Sequence, residues 1–167
     1  MITTVLVGNP KPASRTLEAA QLLGTAIAGS VDNTIDIASL GAAVLDWSDT
    51  SVKDAIATCA ESDLLIVASP TFKATYSGLL KVFLDRIDGT TGLAGVTTIP
   101  LMLGAGPAHF LAPELLLKPV LVELGAVVPV QGLYLSDRSY AEPDAFTPWL
   151  EQWKPVLDRL LPHSGLA

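Results

Sequence analysis

Sulfur and imidazole are scarce in this chain: one cysteine, Cys59, and two histidines, His109 and His163, stand among 167 residues. A lone cysteine excludes an internal disulfide and a Cys-rich metal site. Two histidines are too few for a metal cluster. Cys59 lies in a segment of helical periodicity just ahead of an apolar run and reads as a core thiol. Positive charge is also scarce. Ten Lys and Arg against seventeen Asp and Glu leave a formal net charge of −7. That balance argues against nucleic acid as a partner, because binding it relies on basic side chains neutralising phosphates. No apolar run approaches the roughly 20 residues of a membrane span. Met1-Ile2-Thr3-Thr4 carries no basic leader region and the apolar stretch after it stops at Gly8, so a cytoplasmic protein is expected.

What is present is largely apolar. Half of the residues are hydrophobic and 16% are charged, the balance of a compact chain and not of a disordered one. The length suits one domain spanning residues 1–167. Leu64-Leu65-Ile66-Val67-Ala68 reads as a strand buried on both faces. After the loop 69–78, Leu79, Leu80, Phe83, Leu84 and Ile87 fall on one helical face. On either side of this unit the pattern repeats. Strands are expected at 4–8, 34–37 and 98–103, and a fifth from 127–130 with 133–135. Helices are expected from Arg15 or Thr16 to about Gly29, over 52–61, over 108–124 and from about Pro148. Residues 38–48 read as an irregular connection. Pro100 weakens the strand at 98–103, and Pro119 should bend the helix at 108–124. In the last helix Trp149, Leu150, Trp153, Val156, Leu157 and Leu160 are expected to face inward. Strands alternating with helices imply a parallel sheet covered on both faces. Five strands suit the flavodoxin-like order 2-1-3-4-5 of a three-layer α/β sandwich.

In that order the loops at 8–16, 69–77 and 104–109 leave neighbouring strands and meet at the switch point, where such folds bind flavin mononucleotide. The first loop offers hydroxyls of Ser14 and Thr16, the Arg15 guanidinium and helix N-terminal amides to a phosphate. An N-cap by Ser14 beside a surface arginine is an equal reading. Pro70 stiffens the second loop, and Thr71, Thr75 and Ser77 offer hydroxyls. Gly104 and Gly106 would let the third loop approach a flat ring closely. No hydrolytic constellation and no Walker loop is present.

The motifs Gly8-Asn9-Pro10 to Ser14-Arg15-Thr16, Ser69-Pro70-Thr71-Phe72-Lys73-Ala74-Thr75-Tyr76-Ser77-Gly78-Leu79-Leu80-Lys81, and Gly104-Ala105-Gly106-Pro107-Ala108-His109 resemble the NADPH-dependent FMN reductase family. The third continues through Leu117-Lys118-Pro119-Val120-Leu121 to Leu124-Gly125-Ala126. Within the family the likeness is to the reductases of two-component alkanesulfonate monooxygenases. The resemblance implies hydride transfer from NADPH or NADH to FMN, with reduced flavin supplied to a monooxygenase and no catalytic side chain. It implies that Ser14, Arg15 and Thr16 hold the FMN phosphate. Pro70, Thr71, Phe72 and Lys73 would border the isoalloxazine, with Gly104, Ala105 and Gly106 near its other side. A homodimer or homotetramer is implied, with the helix from Leu79 to Ile87 as an interface. This chain departs from the family at Thr71 and Phe72, where an aliphatic residue and a tyrosine are usual. It departs again at Leu115, where the alkanesulfonate reductases place a tyrosine in a locally widened helix linked to tetramer contacts and flavin exchange. Rival readings are a tight-FMN quinone or azo reductase, a flavodoxin-like electron carrier and a flavin-free regulatory domain.

Overall fold

A computed structural model describes residues 1–161; His163 lies outside them. Five strands, β1 (Thr3–Val7), β2 (Asn33–Asp36), β3 (Leu64–Pro70), β4 (Thr97–Gly104) and β5 (Leu133–Ser136), form one sheet in the order β2-β1-β3-β4-β5. Every pairing is parallel, as the alternation of strands and helices requires. The helices are α1 (Arg15–Ala28), α2 (Thr50–Ala60), α3 (Gly78–Leu84), α4 (Lys118–Glu123) and α5 (Thr147–Leu160). All seven residues of β3 are buried, because apolar side chains leave both faces of a central strand into two separate cores. Val5, Val7, Ile66 and Ala68 pack with Leu23 of α1 and Trp149 of α5 on one face. Leu6, Leu65 and Val67 pack with Cys59, Phe83 and Leu121 on the other.

Local chemistry sets the boundaries. The Ser14 hydroxyl accepts from the Leu17 amide to open α1, and Gly29 closes it at φ 83, donating to the Thr25 carbonyl. That left-handed position is one glycine takes without steric cost. Pro100 sits inside β4, opposite Val67 of β3. The Thr98 amide donates to Val127 on the β5 side, and Pro100, two residues on, faces the same way. Regular pairing with β5 begins only at Leu101, so the missing amide falls in a gap of the ladder.

Four expectations need correction. Residues 38–48 are not wholly irregular: Ile37–Leu45 forms 3₁₀ turns interrupted at Gly41, φ 56. Residues 127–130 are not strand, except that Val127 bridges Thr97; Pro129 lacks the amide that pairing would need. The helix expected at 108–124 is preceded by a separate 3₁₀ turn at Pro107–His109, and a π turn at Pro113–Leu117 runs directly into α4. Pro119 lies inside this continuous helix, just after the π turn. The Lys118 amide ahead of it reaches back to the Pro113 carbonyl, and this widened turn relieves the clash a proline ring makes with the preceding turn. Finally, Leu160 is half exposed on the last turn of α5, and Leu161 takes the buried place.

Candidate functional site

Parallel register brings the carboxyl ends of β1, β3, β4 and β5 to one edge: Val7 lies beside Ala68, Pro70 beside Leu103, and Gly104 beside Ser136. The loop after β1 is folded onto itself by Asn9. Its side-chain oxygen accepts from the Lys11 amide and its nitrogen donates to the Thr16 hydroxyl, each at 3.0 Å. Ala13 has φ 49, and its amide donates to the Asp36 carboxylate at 3.1 Å. The Ser14 and Thr16 hydroxyls each accept one bond from the chain and keep their own protons to donate, although both residues are buried. In the first turn of α1, Ser14 accepts from the amides of Leu17 and Glu18. The amides of Arg15 and Thr16 have no intrahelical acceptor and are free for an anion. Arg15 reaches across to the end of β5, where Nη1 donates to the Asp137 carbonyl at 2.8 Å. Its Nη2 lies 3.3 Å from the Asp137 carboxylate.

The second loop is pinned at its root and held tight at its tip. The Ser77 hydroxyl donates to the Gly8 carbonyl and accepts from the Leu80 amide, capping α3. The Ser77 amide in turn donates to the Ser69 hydroxyl at 2.8 Å. Ser77 is buried and offers nothing to a ligand, which corrects the expectation from sequence. A Cβ on Gly8 would stand 2.3 Å from that of Leu80, so glycine there is what lets α3 approach β1. At the tip Phe72 and Thr75 exchange two backbone hydrogen bonds of 2.8 and 3.2 Å. Between them Lys73 and Ala74 both take positive φ, 51 and 71. This is a two-residue turn in a conformation usually left to glycine and asparagine, and it projects Phe72 half exposed.

In the third loop the Tyr134 hydroxyl donates to the Gly106 carbonyl at 2.7 Å. A Cβ on Gly104 would fall 1.9 Å from that hydroxyl and 3.2 Å from the Thr71 hydroxyl. The space at Gly104 is therefore claimed by Tyr134, whereas the corresponding space at Gly106 is open. The Thr71 hydroxyl is buried with no partner among the described residues.

These loops enclose a cleft of about 440 Å³ whose walls include Ser14, Arg15, Thr16, Pro70, Thr71, Phe72, Gly104, Ala105 and Asp137. Lys73 and Gly106 line an adjoining hollow of about 570 Å³, which shares Thr71, Gly104 and Ala105 with the cleft. His109 borders the hollow as well. All ten residues singled out from sequence thus lie on two connected spaces. Asn9, Tyr134 and Asp137 were not singled out. For Tyr134 and Asp137 the signal was topological, since β5 ends at the same edge as β4; Asn9 already stood in the Gly8-Asn9-Pro10 motif. Among the described residues no group of His, Cys, Asp and Glu could hold a metal ion. No helix among the described residues is long and apolar enough to cross a membrane.

A parallel sheet in this order, with a cleft at the β1/β3 switch point, defines a flavodoxin-like protein. The profile of the NADPH-dependent FMN reductase family matches residues 1–141, and the chain belongs to that family. It is 40% identical over 94 residues to an FMN reductase (NADPH) of Escherichia coli K12, covering 54% of this chain and 49% of that one. To the NADH-dependent FMN reductase SfnF of Pseudomonas putida it is 31% identical, over 59% of this chain and 53% of that one. The chain spans about half the length of these curated relatives. The apo crystal structure of an NADH:FMN oxidoreductase superposes with a TM-score of 0.83 at 31% identity, covering 98% of this chain and 92% of that one.

Proposed function

We propose that residues 1–167 form one FMN reductase domain that takes FMN as a substrate, reduces it with NADPH or NADH, and supplies reduced flavin to a monooxygenase. The observation that carries this reading is the cleft at the carboxyl edge, with two unbonded helix amides and Arg15 at one end and a backbone-lined hollow at the other. The donor set fits FMN. An anion at the α1 N-terminus would meet the Arg15 and Thr16 amides and the guanidinium. The ring would be bordered by Pro70, Thr71, Phe72 and Lys73 on one side and by Gly104, Ala105 and Gly106 on the other.

When bound, FMN supplies the redox chemistry by accepting a hydride from the nicotinamide. The chain's own part is to hold and orient. Ser14 keeps the first turn of α1 open to the phosphate, Ser69 and Ser77 fix the second loop, and Tyr134 sets the course of the third. The side chains in the cleft have no proton to move in this reading. A homodimer or homotetramer in the cytoplasm completes the proposal, with α3 as the expected contact.

Steady-state oxidation of NADPH and NADH by purified protein, with FMN varied from none to excess, tests it. The expected rate is near zero without flavin and saturates with added FMN. Full activity towards a quinone without added flavin would replace the reading by a tight-FMN reductase. No oxidation of either nucleotide would overturn the enzyme and leave a carrier or regulatory domain.

A further inference from the structure

We propose that Asp137 is a built-in competitor for the phosphate of FMN, and that by holding Arg15 it keeps the flavin weakly bound and exchangeable. The inference rests on the FMN reductase reading and explains within it how one cleft can treat flavin as a substrate. Arg15 is the cation best placed for a phosphate at the α1 N-terminus, yet its two terminal nitrogens are turned to the carbonyl and the carboxylate of Asp137. The arginine side chain is 60% exposed and the aspartate's only 27%, so the acid is the fixed partner and the base the movable one. Its fixity comes from the backbone: the Asp137 amide donates to the Gly104 carbonyl at 2.9 Å, tying the residue to the end of β4. The second carboxylate oxygen of Asp137 is buried with no partner among the described residues. The acid is therefore under-compensated even with Arg15 in place.

A phosphate monoester carries nearly two negative charges at neutral pH. Seated in this cleft it must draw Arg15 away from Asp137, or share it, and then face an anchored carboxylate. Asp36 adds a further negative charge beside Ala13, whose amide it accepts; Ala13 lines the cleft, and Lys11 is the other cation on its wall. Attraction by Arg15 and repulsion by Asp137 then oppose each other, which lowers what the phosphate adds to the affinity of the bare flavin. The alternative is that Asp137 merely positions Arg15 for the phosphate. The two differ in the sign of one substitution.

The test measures dissociation constants of FMN and riboflavin by flavin fluorescence titration, for the wild type and for Asp137→Asn, which preserves shape. In the variant FMN should bind roughly tenfold tighter or more, the worth of one freed charge-assisted contact, with riboflavin unchanged. FMN binding that is unchanged or weaker, or an equal shift of both ligands, overturns the proposal. The wild type alone gives an independent reading should the variant fail to fold. Its preference for FMN over riboflavin should stay below about a hundredfold, whereas a larger one would mean that Arg15 is already free to serve the phosphate and would overturn the proposal. Wild-type protein that binds neither flavin would instead remove the FMN reading itself.

Discussion

Arg15 stands between two anions, the fixed carboxylate of Asp137 and the proposed phosphate. Arg15→Ala should weaken FMN binding by about 1.5–3 kcal/mol, the loss of a charged hydrogen-bonding partner, because Asp137 stays behind uncovered. Riboflavin binding should be untouched, and a fluorescence titration with both ligands checks this. Gly104→Ala places a methyl group 1.9 Å from the Tyr134 hydroxyl. Tyr134 must then move and release the Gly106 carbonyl. The expected cost is about 1–3 kcal/mol of stability, as for other overpacked sites, read as a lowered urea midpoint together with weaker flavin binding. Arg15 was legible in the sequence because a forked cation at a helix start is a local feature. Asp137 was not, since it comes 122 positions later and only the sheet order brings it back.

At the scale of the elements, α3 shows how a loop is held for function. Ser77 caps the helix and ties it to the end of β1 through the Gly8 carbonyl. Ser77→Ala removes the cap and leaves a buried carbonyl without its partner, so stability should fall by about 1–3 kcal/mol, measured by urea unfolding. The buried helices and strands could be read from periodicity alone, as with the apolar face of α3. The turn at Lys73 and Ala74 could not. Neither residue is a glycine or asparagine, and their positive φ values are imposed by the paired backbone of Phe72 and Thr75. The π turn at Pro113–Leu117 was illegible from residue patterning for a related reason. Apolar spacing over 108–124 fits a regular helix, and the widening accommodates the Pro119 ring that follows it. It persists with Leu115 where the alkanesulfonate reductases have a tyrosine.

At the scale of the molecule, the sheet separates two cores, and Cys59 lies wholly inside the one on the α3 side. Burial pushes its thiol up to about 12 from the ordinary 9.0. The neutral thiol is therefore favoured in the fold. Its contribution to stability is full below pH 9 and lost as pH rises towards 12, since only the unfolded chain can ionise over that window. The slope is at most about 1.4 kcal/mol per pH unit. Urea midpoints at about pH 8 and about pH 10.5 should fall more steeply for the wild type than for Cys59→Ala. The same burial should keep the thiol unreactive towards a disulfide reagent until the protein is unfolded.

The sequence by itself determined the alternation of strands and helices, and with it the parallel sheet, the central place of β3 and the edge at which a ligand can sit. Those features depend on hydrophobic periodicity and on near-neighbour chemistry such as Ser14 before α1 and Gly29 after it, which act over a few residues. Only the tertiary structure decided which polar groups in the cleft remain available. The Ser77 hydroxyl is consumed by its neighbours, whereas those of Ser14 and Thr16 keep a donor, two α1 amides stay open and Arg15 is taken by Asp137. Whether a donor is free depends on every acceptor that folding brings within about 3 Å of it, and in a parallel sheet those acceptors arrive from strands far apart in the chain.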